Sequence, residues 1–171
     1  MTATVNVRTR VHQIPVGLGE IKYSSRPGEA LVAYGLGSCV GVAIWDRNTR
    51  IAGLAHIILP TAASAGRPGD NRCKYADQAV PIMIEELLRM GGQKAGFIVR
   101  IAGGAQMLRS AQVSEVFNIG ARNVQQVRQE IARAGLRIFA DDVLGHQGRT
   151  MSLYPENGRV TVHSAGKLTV L

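Results

Sequence analysis

Tyr34-Gly35-Leu36-Gly37-Ser38-Cys39-Val40-Gly41-Val42-Ala43-Ile44-Trp45-Asp46 is the stretch on which both the fold and the chemistry turn. An apolar lead-in, Ala30 to Ala33, precedes it. Gly35 and Gly37 permit backbone angles that a side chain would forbid, and let another segment come close. Val40, Val42 and Ile44 then alternate along one side of a second strand. The pattern reads as strand, tight turn, strand, with Cys39 just after the turn. A cysteine so placed can have free backbone N–H groups beside its sulfur, an arrangement that suits a nucleophile with an anion hole. The plainer reading is a small apolar side chain at the start of a core strand.

Downstream, Asp46-Arg47-Asn48 is a turn, and Arg50 to Leu59 is an almost wholly apolar strand that carries His56 and stops at Pro60. The two strands predict a hairpin. Centring its loop near Arg47-Asn48 pairs position 39 near position 56, to within a residue or two. Cys39 and His56 then stand side by side on one sheet face. A free thiol has a pKa near 8.5, so only about 3% is thiolate at neutral pH. A neighbouring imidazolium lowers that pKa, and the same ring can protonate a leaving amine. Taken alone, His56 reads as a satisfied core histidine.

Upstream, residues 1–12 read as a polar arm, and residues 13–171 as one domain. Ile14 to Ser24 predicts a short strand around Gly17 and Gly19, a pair that lacks the third glycine of a dinucleotide loop. Toward the C-terminus, Tyr75 to Met90 has helical periodicity, with Ala79, Ile82, Met83, Leu87 and Met90 on one face. Pro81 requires either a kink near Asp77 or a helix that begins close to Pro81. Ala95 to Ala102 predicts a buried strand, Gly103-Gly104 a bend, and Ala105 to Arg109 one helical turn. Asn118 to Ala134 predicts a second helix with Val124, Val127, Ile131 and Ala134 inward, stopped by Gly135. Leu136 to Leu144 is a further strand. Arg149 to Tyr154 and Arg159 to His163 flank the hairpin signal Asn157-Gly158, and Lys167 to Leu171 adds an edge strand. The sum is an α/β fold with mixed sheets and two main helices.

The totals narrow the function. The 171 residues are 46% hydrophobic and 19% charged, a globular balance. The formal charge of +8 favours acidic partners, but the basic residues are scattered. With aromatics at 5%, few rings are on hand to stack bases, so no nucleic-acid partner is expected. No stretch approaches the roughly 18 apolar residues of a membrane helix, so no membrane insertion is expected and the chain reads as cytoplasmic. Cys39 and Cys73 are too few for a disulfide scaffold, and His12, His56, His146 and His163 are too dispersed for a metal site. Cys73 reads as a bystander thiol and His146 as exposed scaffolding.

Five blocks then carry a resemblance: Gly35-Leu36-Gly37-Ser38-Cys39-Val40, Gly53-Leu54-Ala55-His56-Ile57-Ile58-Leu59-Pro60, Lys74-Tyr75-Ala76-Asp77, Ile101-Ala102-Gly103-Gly104-Ala105 and Asn118-Ile119-Gly120-Ala121-Arg122-Asn123-Val124. Together, from about Gly17 to Val162, the chain resembles the chemoreceptor glutamine deamidase (CheD) family of chemotaxis. The resemblance implies an α/β/β sandwich and a protein-glutamine glutaminase, with Cys39 as nucleophile and His56 as general base and acid. Ser38 and Gly37 would serve the oxyanion, and no metal or cofactor would be needed. It implies methyl-accepting chemotaxis receptors as substrates, and the CheC phosphatase as a partner in organisms that encode one. Some members also hydrolyse receptor methyl esters. Where the family often has a threonine, six residues before the cysteine, this chain has Ala33. Ser38, Tyr34 or a backbone carbonyl must then orient His56. An adaptor that binds receptor or CheC without turnover is the alternative.

Overall fold

Between Val40 and Asp46 the chain is buried on both faces. Val40, Val42 and Ile44 join one core, while Ala43 and Trp45 pack into another on the opposite side. A strand with two apolar faces needs a layer on each, and the molecule supplies a helical layer and a second sheet. The computed structural model of the chain describes residues 11–65, 71–107 and 118–171. Its strands are β1 (His12–Pro15), β2 (Ile21–Ser24), β3 (Glu29–Leu36), β4 (Val40–Asp46), β5 (Ala52–Ile57), β6 (Phe97–Gly103), β7 (Ile138–Val143), β8 (Arg149–Leu153), β9 (Val160–Ser164) and β10 (Lys167–Val170). Its helices are α1 (Ala76–Arg89) and α2 (Ile119–Arg133).

The inner sheet has the order β2-β5-β4-β6-β7, and the outer sheet the order β1-β3-β8-β9-β10. Each is mixed: β6 and β7 are parallel in one, β1 and β3 in the other, and the remaining pairs are antiparallel. One core lies between the inner sheet and the helices, and includes Val42, Ile57, Met83, Leu87, Ile101, Val127 and Ile131. The other lies between the sheets, and includes Leu31, Ala33, Leu36, Leu54, Met151 and Val160. The expected α/β/β sandwich with mixed sheets and two main helices is what the chain forms.

The departures have local causes. The stretch around Gly17 and Gly19 makes two strands, one in each sheet, rather than one. Residues 1–10 of the expected arm lie outside the described residues, and His12 already belongs to β1, paired with Glu29. Helix α1 starts at Ala76 and runs through Pro81. Neither the kink nor the late start is needed, because the proline ring points to solvent and only the Asp77 carbonyl lacks its donor. Its buried face includes Val80 and Ile84, whereas Met90 lies past the helix end and is exposed. Residues 104–107 are irregular rather than helical, because the Gly104 and Ala105 N–H groups bond outward to the cysteine turn and the Gln106 N–H to Gly145; positions 108 and 109 of that expectation lie outside the described residues. Helix α2 ends as expected. Gly135 adopts φ +70°, its N–H donates to the Ala132 carbonyl, and the Leu136 N–H donates to Ile131.

Candidate active site

The turn at residues 37–39 carries the chain from the outer sheet, in β3, to the inner sheet, in β4. Strand β3 bends as it leaves: its register with β8 slips between Ala33 and Leu36, and Gly35 takes φ +65°. The Gly37 N–H turns back to the Gly35 carbonyl at 2.9 Å. Gly37 is therefore occupied as a donor. Among the described residues, neither the Ser38 nor the Cys39 N–H has a backbone acceptor. Of these two amides, the Cys39 N–H is directed at its own sulfur.

His56 is set by β5 and by the loop between β1 and β2. The β4–β5 hairpin forms, with Gly41 opposite His56 and Val40 opposite Ile57. The register differs by two residues from the sequence expectation. The loop is centred between Asn48 and Thr49, held by the Asp46 carboxylate, which accepts from the Asn48 N–H and the Thr49 hydroxyl. Parity is unchanged by a shift of two. Ala52 and Leu54 point into the inter-sheet core, so His56, next in alternation, turns to the same side, and Cys39 packs against that core as well.

The His56 ring is buried, and its Nδ1 lies 3.2 Å from the Val16 carbonyl oxygen. A carbonyl only accepts, so Nδ1 carries the hydrogen and Nε2 is the nitrogen with the lone pair in the neutral ring. Nε2 has no hydrogen-bond partner among the described residues. The backbone of the same loop clamps the strand: the His56 N–H donates to Glu20, and the Gly19 N–H donates to His56. A backbone carbonyl thus occupies the orienting position. Ala33 is fully buried opposite Met151, and the Tyr34 hydroxyl turns away to donate to Gln13 at 2.7 Å.

Burial dominates the electrostatics. It pushes the Cys39 thiol above its ordinary range, and the residue's own N–H draws it part of the way back. It holds His56 below the usual imidazole range, with the Val16 carbonyl acting in the opposite sense. Both shifts favour the uncharged forms of the pair. No hydrogen bond joins the two side chains, and the low dielectric penalises both charges of a thiolate held by an imidazolium.

The carbonyls of the turn are all engaged from outside it. Ala105 N–H donates to Gly37 at 2.8 Å, and Gly104 N–H donates to Cys39 at 2.7 Å. The Asn123 Nδ2 donates to Ser38 at 2.9 Å and also to Ile58 at 2.8 Å. The bend at Gly103-Gly104 is thus the brace of the cysteine turn. Gly104 adopts φ +67°, and a Cβ on Gly120, in the first turn of α2, would stand 2.5 Å from the Gly104 carbonyl oxygen. Sequence reasoning gave Asn123 no role.

Beside the turn is a cavity of about 320 Å³ whose lining includes Gly35, Gly37, Met107 and His163. Arg149 and Ser164 also line a neighbouring cavity of about 520 Å³, with His146 and Lys167. His146 is exposed, as expected, but it helps wall this space, with Nδ1 3.0 Å from the Gln106 carbonyl. Cys73 lies apart, near Tyr23 and Glu86 on the helical side. Among the described residues no helix is long and apolar enough to cross a membrane.

Residues 58–164 match the model of the family described as CheD chemotactic sensory transduction. The chain belongs to the CheD family. Similar proteins extend the likeness beyond that segment. A protein of Symbiobacterium thermophilum named "Probable chemoreceptor glutamine deamidase CheD" is 44% identical over 157 residues, 89% of this chain and 92% of its own. A protein of the same name from Pyrococcus abyssi is 40% identical over 149 residues, covering 86% of this chain and 89% of its own. A solved structure, that of Bacillus licheniformis hypothetical protein YfiH, covers 80% of this chain and 61% of its own with 13% identity and a TM-score of 0.45. That likeness is too weak to bear on fold or function.

Proposed function

We propose that this chain is a cytoplasmic chemoreceptor glutamine deamidase that works through Cys39 and His56. The observation that carries the proposal is the buried His56 ring, fixed through Nδ1 on Val16 with Nε2 unpartnered on the side toward which Cys39 packs. Membership of the CheD family and the names of its relatives support the substrate class. A glutamine side chain of a receptor enters over the turn. Nε2 takes the thiol proton as Cys39 sulfur attacks the amide carbon, and the carbonyl oxygen becomes an oxyanion facing the Ser38 and Cys39 N–H groups. The His56 imidazolium returns the proton to nitrogen, the C–N bond breaks and ammonia leaves. Water then gives a proton to Nε2 and attacks the thioester. The C–S bond breaks, the sulfur recovers its proton, and a glutamate remains. Apart from the substrate amide and the water, every group these steps require is a side chain or amide of this chain.

Ala33 gave the adaptor alternative its motive, and the Val16 carbonyl at the His56 ring supports the enzyme reading instead. Binding to CheC, where it occurs, is a separate property and should survive Cys39→Ala in a pull-down. The decisive assay is mass spectrometry of a receptor signalling fragment, seeking conversion of an amide NH₂ to OH with release of ammonia. Wild type should convert glutamine, Cys39→Ala should not, and His56→Ala should nearly fail, since the pair acts as a unit. Conversion that persists in Cys39→Ala would sink the assignment.

A further inference from the structure

Three consecutive carbonyls of the cysteine turn are held from outside it, two by backbone amides of residues 104 and 105 and one by a side chain, Asn123. We infer that Asn123 is a positioning residue of the active site, which aims the Cys39 N–H as an oxyanion donor and holds the cysteine turn at a fixed distance from the strand that carries His56. The inference rests on the deamidase reading above.

The geometry follows from the planarity of the peptide unit. The C=O of Ser38 and the N–H of Cys39 belong to one trans peptide and point in opposite directions. Asn123 Nδ2 holds the Ser38 oxygen on the side of α2, so the Cys39 N–H must point away from α2, toward its own sulfur. The second proton of the same NH₂ goes to the Ile58 carbonyl, two residues beyond His56. One side chain therefore spans the nucleophile turn and the end of the histidine strand. Asn123 is fully buried, so its bonds have no competition from water.

A stability role alone fits the residue poorly. Its Oδ1 is buried without a partner among the described residues, an arrangement that costs the fold rather than helping it. Only a group with two donors on one atom can serve both carbonyls at once. Serine has one, and a carboxylate has none.

The test uses the full chain with a receptor fragment as substrate, comparing wild type, Cys39→Ala, Asn123→Ala and Asn123→Asp. The expected result is a kcat lowered by about 10²-fold in both Asn123 variants with KM within about twofold, because the lost contact acts on the developing oxyanion. Alkylation of Cys39 by iodoacetamide should stay within about twofold of wild type, since displacement at carbon needs no oxyanion hole. Folded variants with wild-type kcat would overturn the inference. So would a parallel loss of kcat and alkylation, which marks a collapsed turn. Should neither variant fold, the wild-type protein still decides. The Asn123 side-chain NH₂ protons should exchange with deuterium far more slowly than exposed amides, and fast exchange would overturn the double clamp. Absence of Cys39-dependent conversion in wild type would instead fell the deamidase reading, and this inference with it.

Discussion

At the scale of single residues, His56 sets the response to pH. Its pKa in the folded protein lies below the value of about 6.5 expected in an unfolded chain. The unfolded state therefore takes up a proton first as pH falls. The stability that neutral His56 contributes is complete above about pH 6.5 and is lost as pH falls from there toward the folded pKa. Urea titrations should show stability declining below about pH 6.5, and His56→Gln should flatten that decline. In the proposed mechanism the same ring must be neutral to accept the thiol proton, so the acid limb of kcat/KM should fall below pH 6.5 and not above it. Ala33→Thr is the second residue-scale test. The Val16 carbonyl already orients the ring, and position 33 is fully buried, so a hydroxyl and methyl there overpack the inter-sheet core. Turnover should be unchanged while stability falls by about 1–3 kcal/mol in chemical denaturation. A marked rise in kcat would mean that Val16 does not do the orienting.

At the scale of elements, the contact between the end of β6 and the start of α2 is the part most exposed to small changes. Gly120→Ala should gain up to about 1 kcal/mol in helix propensity, yet its Cβ would stand 2.5 Å and 2.6 Å from the Gly104 and Ala105 carbonyl oxygens. Overpacking of about 1–3 kcal/mol decides the sign, so the variant should be less stable and should lose turnover as the brace of the cysteine turn shifts. Gly135→Ala serves as the contrast. It strains a helix cap at φ +70°, far from the site, and should cost about 1 kcal/mol of stability while kcat stays unchanged. The sequence makes some of this legible. The β4–β5 hairpin follows from two apolar runs and a turn, and α2 follows from its stripe and Gly135. The hairpin register does not, because a side chain, Asp46, centres the loop where backbone signals alone cannot. Assignment of β3 and β4 to different sheets does not either, since β3 pairs with β8 from far along the chain. Asn123 is concealed by its polarity. Its spacing of four and eight residues from Val127 and Ile131 placed it on the buried stripe, and that was the available signal.

At the scale of the whole molecule, the excess of 20 basic over 12 acidic residues gives a positive field that acts before contact. If the receptor fragment is acidic, kcat/KM should fall as salt rises while kcat holds, because screening slows encounter and leaves the buried chemistry alone. A salt-independent kcat/KM would show that charge plays no part in docking. The architecture also bears on when the site exists. The cysteine turn is slung between two sheets, and β3 on one side of it gains its second sheet neighbour, β8, only after most of the chain has been made. Cys39 is encoded early in the chain, but Gly104, Ala105 and Asn123, which hold its turn, come late. A ribosome-bound chain that already displays Cys39 therefore holds an unshaped, solvent-bathed thiol. Whatever chemistry Cys39 performs waits on those later contacts, so the order of synthesis itself acts as a safety catch.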